Sequence, residues 1–339
     1  MFRIKEIVLD SERKLLISFL NDYNFEYEYD ITYSILVYDG DLLVATASLA
    51  NNVMKCFLVI KEYTNHNITN LMFSHLVNYL SQKNVFHYFV YTTPDNELIF
   101  TSLNMKTIVM TMNTVLLEGG DEITNVLKKL KKEYSVSDNK KAAVIINANP
   151  MTLGHLFLIE TAAKENKEVL VFVVSEDLSS FPFVDRFEII KKATAHLENV
   201  TILPTLSYLV SRITFPKYFL KEDQLIKDEQ TLIDVLVYKQ YYEKIFNIVI
   251  RYLGEEPFSF NTDKYNKVLK KYLGTHIKII KRKKIEKEII SASGVRRLLK
   301  DNKLEEIKKY VPLATYEYLK SDKGQLIVKK IKEHELGRH

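Results

Sequence analysis

Two short stretches of this chain carry residue types at spacings that suit phosphate chemistry. In Thr152-Leu153-Gly154-His155 the glycine lets a bulky ligand come close to the backbone. The histidine beside it can hydrogen-bond a phosphoryl oxygen. In Ser291-Ala292-Ser293-Gly294-Val295-Arg296-Arg297 two serines can cap a helix while presenting hydroxyls and amides to phosphate oxygens. Arg296 and Arg297, a turn later, add forked donors suited to a polyphosphate. Each stretch alone has a plain structural reading, a four-letter coincidence in one case and an ordinary helix cap in the other. Their surroundings decide.

Ahead of the first stretch, Ala142-Ala143-Val144-Ile145-Ile146 has the length and β-branched content of a buried strand. Asn147, Asn149 and Pro150 then make a turn, and Leu156, Ile159, Ala162 and Ala163 follow a helical period. Strand, polar turn and helix is the layout that leaves helix N-terminal amides facing a phosphate. Residues 168–175 and 200–204 read as further strands, with Phe181-Pro182-Phe183-Val184-Asp185-Arg186 and then a helix over 187–196 between them. This alternation predicts a parallel sheet with helices on both faces and a ligand crevice outside the carboxyl ends of the strands. His155 and the segment around Arg186 both fall at such ends. A helical insert over 206–246, with its long helix over 228–246, interrupts the alternation. Strands over 247–252 and 277–280 resume it, and the basic run Lys281-Arg282-Lys283-Lys284 leads toward the second stretch.

Residues 1–118 read differently. A helix over 11–21, a hairpin turning at Asp39-Gly40, a strand over 53–60, a polar loop, a helix over 69–82 and an aromatic strand over 85–92 describe a small α+β unit. That order is similar to the acetyltransferase fold. There, the loop before the long helix offers glycine amides to a pyrophosphate. Here Glu62-Tyr63-Thr64-Asn65-His66-Asn67-Ile68 contains no glycine, so the expectation is a fold kept for docking or for holding part of a substrate. Cys56, mid-strand, reads as a packing residue. Gly119-Gly120 and a lysine-rich helix from Ile123 mark the boundary, giving a domain over 1–118, a charged linker helix over 119–140 and a catalytic domain over 141–330.

Composition narrows the class. Hydrophobic residues make up 47% and charged residues 27% of the 339, and the formal charge is +5. That charge is too small to argue for nucleic acid and fits an acidic ligand or partner. One cysteine rules out an internal disulfide framework and suggests a reducing, cytoplasmic setting. No stretch approaches ~20 apolar residues, so no membrane span is expected. No carboxylate cluster looks like a metal site, and the terminal His334 and His339 are spaced five apart, wrong for one helical face. The chain contains no G-x-x-x-x-G-K-S/T loop and no G-x-G-x-x-G fingerprint, which removes the common kinase, GTPase and dehydrogenase readings.

Thr152-Leu153-Gly154-His155 and Ile290-Ser291-Ala292-Ser293-Gly294-Val295-Arg296, in that order, resemble the paired signatures of the HxGH nucleotidyltransferase superfamily, H/T-x-G-H and I-S-x-S/T-x-x-R. A narrower resemblance, to the citrate lyase ligases, rests on several segments. These are Ser175-Glu176-Asp177, Phe181-Pro182-Phe183, Thr214-Phe215-Pro216 with Tyr218-Phe219-Leu220-Lys221, and Arg251-Tyr252-Leu253-Gly254-Glu255-Glu256-Pro257.

The resemblance implies an acetyltransferase-like α+β domain followed by a Rossmann-like parallel-sheet nucleotidyltransferase domain. It further implies an ATP-dependent, AMP-forming acid-thiol ligase. ATP would activate acetate as acetyl-adenylate, and the acetyl group would pass to the thiol of the coenzyme-A-like prosthetic group on the acyl carrier subunit of citrate lyase. Carried over residue by residue, His155, Thr152 and Lys221 take catalytic places. Asn149, Gly154, Arg186, Arg251, Gly254, Ser291, Ser293 and Arg296 take ATP-binding ones, with Arg251 and Gly254 at a strand end. Mg2+ would be held mainly by the ATP phosphates. The alternatives are an adenylyltransferase acting on a phosphopantetheine-type acceptor and a non-catalytic nucleotide-binding relative.

Overall fold

Strand-forming residues dominate the first part of the chain. β1 (Phe2–Glu6), β2 (Tyr33–Asp39), β3 (Leu42–Ala50), β4 (Val53–Val59), β5 (Tyr88–Thr92), β6 (Lys106–Met110) and β7 (Val115–Gly119) form one sheet in the order β1-β2-β3-β4-β5-β7-β6. β4 and β5 run parallel and register at Val53↔Phe89 and Met54↔Val90, while the other neighbours are antiparallel. With α1 (Asp10–Asp22), α2 (Ile68–Gln82) and α3 (Glu97–Ser102), this is the acetyltransferase-like α+β fold. The structure is a computed structural model, and it describes residues 1–64, 66–177, 179–210, 223–255, 268–281, 284–285 and 288–333.

Several elements here escape the sequence pattern. β1 is a five-residue edge strand whose Phe2 and Ile4 alternate with exposed Arg3 and Lys5 and are themselves only half-buried, too short a pattern to stand out in the sequence. Cys56 sits at a bulge in β4 with φ +55°, fully buried, and burial pushes its thiol up to about 12. Asn67 caps α2 from the left-handed region, φ +57°, which asparagine tolerates better than most residues. Asn65 lies outside the described residues.

Gly119 and Gly120 serve close packing. A Cβ on Gly119 would lie 2.4 Å from the Tyr88 ring, and one on Gly120 would lie 1.6 Å from the Phe86 carbonyl oxygen. The chain divides into two compact units, Met1–Val126 with Ile213–Asp234 and Leu127–Arg212 with Val235–His339, so α4 (Ile123–Glu133) spans the division.

Glu12 anchors the start of α1. Its Oε2 accepts from Leu9 N at 3.0 Å and Val8 N at 2.9 Å, and its Oε1 pairs with Lys5 at 2.7 Å. The Leu9 bond, then Lys5, then Val8 hold the carboxyl down to about 2, from an ordinary 4.5. A depressed carboxylate contributes stability above its unfolded value and loses it as pH falls through the folded one. The stability gap between the wild type and Glu12→Gln, read by urea unfolding, is therefore expected to be full at pH 6 and to close between 4.5 and 2. A gap that is independent of pH would exclude the carboxylate cap.

The second unit alternates strands and helices. β8 (Lys141–Ile146), β9 (Val169–Val173), β10 (Val200–Pro204), β11 (Ile248–Gly254) and β12 (Ile277–Ile280) form a fully parallel sheet in the order β10-β9-β8-β11-β12, with β8 central. α5 (Leu153–Glu165) and α6 (Phe183–Ala193) bury Ile159, Ala162, Ile189 and Ile190 against Val144, Ile146, Val171 and Val173. Each buried branched side chain is worth roughly 1.5–3 kcal/mol, which is why these apolar runs specify the sheet.

The helix after β9 begins at Phe183, earlier than the expected 187. Pro182 enters it with φ −56°, and Asp177 Oδ1 accepts from Phe183 N at 2.5 Å. Arg186 thus lies in the first turn.

α7 (Asp223–Val237), a π-helical turn over Tyr238–Tyr242 and α8 (Glu243–Ile245) are the described helices of the insert. Thr214 through Lys221 lie outside the described residues, as do Glu256, Pro257, Arg282, Lys283 and the terminal histidines. The chain closes with α9 (Ala292–Lys300), α10 (Leu304–Ile307), α11 (Leu313–Lys320) and α12 (Asp322–Glu333), which share an apolar core of Val295, Leu299, Ile307, Leu319 and Ile331. Sequence reasoning left these last three helices unassigned.

Candidate functional site

β8 ends at Ile146 in the middle of the sheet, and the chain turns through 147–152 before α5 begins. Ala148 takes φ +51°, a region L-residues avoid, and it is buried. Arg186 holds that turn. Its Nη1 donates to Asn147 O at 2.9 Å, Asn147 Oδ1 at 3.0 Å and Val174 O at 2.7 Å. Nη2 donates to Glu176 O and Nε to Phe181 O, each at 2.9 Å. The guanidinium is 1% exposed, and burial holds its pKa below the ordinary value while Asp177 at 3.7 Å opposes the shift. All three nitrogens are therefore spent on carbonyl oxygens of the loops after β8 and β9. The expected phosphate contact gives way to a framework role.

Thr152 is the N-cap of α5. Its Oγ1 accepts from His155 N at 3.4 Å, and the ring returns the contact, with Nδ1 accepting from Thr152 N at 3.1 Å and lying 3.0 Å from Thr152 Oγ1. A backbone N–H can only donate, so Nδ1 is the acceptor and a neutral ring carries its proton on Nε2. The first turn of α5 offers fewer amides than its sequence suggests. Leu153 N donates to Tyr310 O at 2.8 Å, His155 N is taken by the cap, and Leu156 N returns to Thr152 O. Gly154 N is the one left without a partner among the described residues.

The second stretch stands directly beside it. Ser291 caps α9 by accepting from Gly294 N at 3.0 Å, and Ser293 Oγ lies 3.2 Å from Ser291 Oγ. A Cβ on Gly294 would meet Ser291 Oγ at 3.1 Å, so the glycine keeps the cap tight. Two contacts join the stretches. Arg296 Nη1 donates to Asn149 O, and a Cβ on Gly154 would lie 3.6 Å from Ile290 O. Asn149 Oδ1 meanwhile accepts from Phe181 N at 3.1 Å. Desolvation holds Arg296 below its ordinary pKa. Asn149, Thr152, Gly154, His155, Ser291, Ser293 and Arg296 thus share one corner at the carboxyl end of β8.

Arg251 does not sit at a strand end. It lies mid-strand in β11, opposite Ala143 and Ile277, 2% exposed, with its guanidinium carbon 4.7 Å from the centre of the Tyr238 ring. Such a stack makes it a core residue of β11 and the insert helix. Gly254 does close β11, and among the described residues no atom lies within 4 Å of where its Cβ would be. Lys221 lies outside the described residues. Sequence reasoning missed Tyr310 and Asn147. Tyr310 acts through its backbone carbonyl, which no residue type announces. Asn147 accepts from both Arg186 and Ser179, and its only signal was that of a turn-former. Among the described residues no group of three or more His, Cys, Asp or Glu could hold a metal, and no helix is long and apolar enough to cross a membrane.

A parallel sheet with two helix caps meeting at the end of its central strand is the layout of a Rossmann-like nucleotide-binding unit, the class the paired signatures lead one to expect. The family description "Citrate lyase ligase C-terminal domain" matches residues 141–319. The citrate (pro-3S)-lyase ligase of Escherichia coli (strain K12) is 30% identical over 313 residues, covering 89% of each chain. That of Haemophilus influenzae is 31% identical over 317 residues, 90% of this chain and 94% of the other. The chain belongs to the citrate lyase ligase family. A phosphopantetheine adenylyltransferase of Symbiobacterium thermophilum is 38% identical over 64 residues, 18% of this chain and 40% of that one.

Proposed function

We propose that the second unit activates acetate with ATP and delivers the acetyl group to the thiol of the coenzyme-A-like prosthetic group on the acyl carrier subunit of citrate lyase. A carboxylate oxygen of acetate attacks the α-phosphorus, and the bond to the β-phosphate oxygen breaks, giving acetyl-adenylate and pyrophosphate. The thiol then attacks the acetyl carbon, loses its proton and releases AMP. The observation that supports this reading most is the meeting of the two capped helices at the end of β8, where Arg296 reaches Asn149 O and Gly154 adjoins Ile290.

Phosphoryl transfer needs positioning and charge stabilisation more than covalent help. His155 Nε2–H tracks the developing charge on the α-phosphate, with the Gly154 amide beside it. Ser291, Ser293 and Arg296 take the β- and γ-phosphates, and Thr152 sets the histidine. Asn149 shapes the floor, Gly254 lies at the end of β11 on the nucleotide side, and Lys221, as the resemblance implies, would contribute a phosphate or acetate contact. Mg2+, bound to the ATP phosphates rather than to a dedicated protein site, would offset their charge. The thiol comes from the partner, so no cysteine of this chain takes part.

The test is acetate-dependent exchange of labelled pyrophosphate into ATP with no carrier protein present. Exchange that requires acetate is expected, and ATP binding without exchange would overturn the reading. The local likeness to phosphopantetheine adenylyltransferases favours a second reading, in which AMP stays on a phosphopantetheine-type acceptor. Consumption of 4′-phosphopantetheine without acetate would select it. Gly154→Ala separates folding from binding. Its Cβ meets Thr152 Oγ1 and Ile290 at 3.5–3.8 Å, ordinary contact, so the melting temperature is expected to hold or rise. The methyl would stand beside the one open amide, and ATP binding by calorimetry is expected to weaken about tenfold, a change of about 1.4 kcal/mol. Unchanged ATP affinity would remove that amide from the site.

A further inference from the structure

The peptide group joining Met151 to Thr152 is held at both ends. Its N–H donates to His155 Nδ1 at 3.1 Å, and its carbonyl oxygen accepts from Thr315 Oγ1 at 3.0 Å. Thr315 belongs to α11, distant from the motif in sequence, and its relative exposure is 0%. Its own amide donates to Pro312 O at 3.0 Å, which fixes it in the first turn of that helix. Tyr310, just before the helix, accepts from Leu153 N on the other side of the same turn.

We infer that Thr315 is a positioning residue for His155. The Thr315 hydroxyl, the 151–152 peptide and the imidazole form one hydrogen-bonded chain. A donor on the peptide oxygen strengthens the N–H at the other end, because bonds in such a chain polarise one another. It also fixes the rotation of the peptide plane, which decides where that N–H points. Together these keep Nδ1 an acceptor and the proton on Nε2, the nitrogen that faces away from the cap. Without the hydroxyl, the buried Met151 carbonyl loses this donor, and the peptide gains a reason to turn. A hydrogen bond of ordinary net worth corresponds to about tenfold in rate when it is felt in the transition state.

The inference rests on the reading of His155 as a phosphate donor, and the experiment separates the two. Thr315→Val keeps shape and removes the hydroxyl, while Thr315→Ser keeps the hydroxyl. In full-length protein labelled with 15N-histidine, with His155 assigned through His155→Gln, the wild type and Thr315→Ser are expected to show Nδ1 unprotonated and Nε2 protonated. Thr315→Val is expected to drift toward a tautomer mixture. In pyrophosphate exchange, Thr315→Val is expected to lose about tenfold or more in kcat with KM for ATP nearly unchanged, and Thr315→Ser to recover it.

A proton on Nδ1 in the wild type overturns the inference, and that measurement needs no variant to fold. So does a folded Thr315→Val with unchanged ring shifts and rate, or a Thr315→Ser as impaired as valine. If the ring behaves as stated and the wild type shows no acetate-dependent exchange, the acid-activation reading fails and the positioning role stands.

Discussion

Replacing His155 by alanine is expected to cut acetate-dependent ATP–pyrophosphate exchange by at least ~100-fold, the usual cost of removing one preorganised donor from a developing oxyanion. The size of the effect follows from how the ring is set. Nδ1 is fixed as an acceptor by Thr152 N, so a neutral ring holds its proton on Nε2 before substrate arrives, and no reorganisation is needed during the reaction. Alanine removes the donor and also leaves Thr152 N without that acceptor. His155 is only half-buried, however, and the Thr152 N-cap bond to the amide at 155 does not depend on the side chain. The melting temperature should therefore move little. His155→Asn is the informative companion. It can accept from Thr152 N but is too short to place a donor where Nε2–H lies, so it should fold like the wild type and remain as slow as alanine. Near-normal exchange in either variant would remove His155 from the chemistry.

What the sequence disclosed and what it hid divide along a physical line. Features written in local spacing were legible. Examples are the apolar run of β8, the caps at Thr152 and Ser291, and the Asp39-Gly40 turn that Gly40 makes at φ +59°. The α/β architecture followed from the alternation of such runs. Features that depend on which segments meet in space were not legible. Arg186 looked like a ligand because it stands near the carboxyl end of β9, and burial turned its fork onto carbonyls. Arg251 looked like a strand-end residue, and its side chain instead stacks on Tyr238, a partner contributed by the insert. Leu153 lost its amide to a carbonyl from residue 310, so the helix N-terminus offers less than its cap advertises. In each case a long-range contact overruled a sound local inference.

That contrast is sharpest at Arg186, where two roles lead to opposite outcomes. As a framework residue it satisfies carbonyls of Asn147, Val174, Glu176 and Phe181 from three nitrogens spread over a planar fork. Lysine keeps the charge but concentrates its donors on one nitrogen, which cannot reach four carbonyls at once. Arg186→Lys should therefore strand buried acceptors and leave a poorly satisfied buried cation, at a cost of roughly 3–5 kcal/mol. For a unit of this size each kcal/mol moves the melting temperature by roughly 2–4 °C, so a fall of about 6–20 °C is expected in calorimetry. Protein that remains folded at lower temperature should bind ATP less tightly only to the extent that the 147–152 turn relaxes. A residue contacting phosphate would behave the other way, with KM for ATP raised and the melting temperature held, since lysine is an adequate point charge for phosphate. The second pattern would return Arg186 to the ligand shell. The first would mark it as the residue that gives the turn after β8 its shape, and through that turn sets where Asn149, Gly154 and His155 stand.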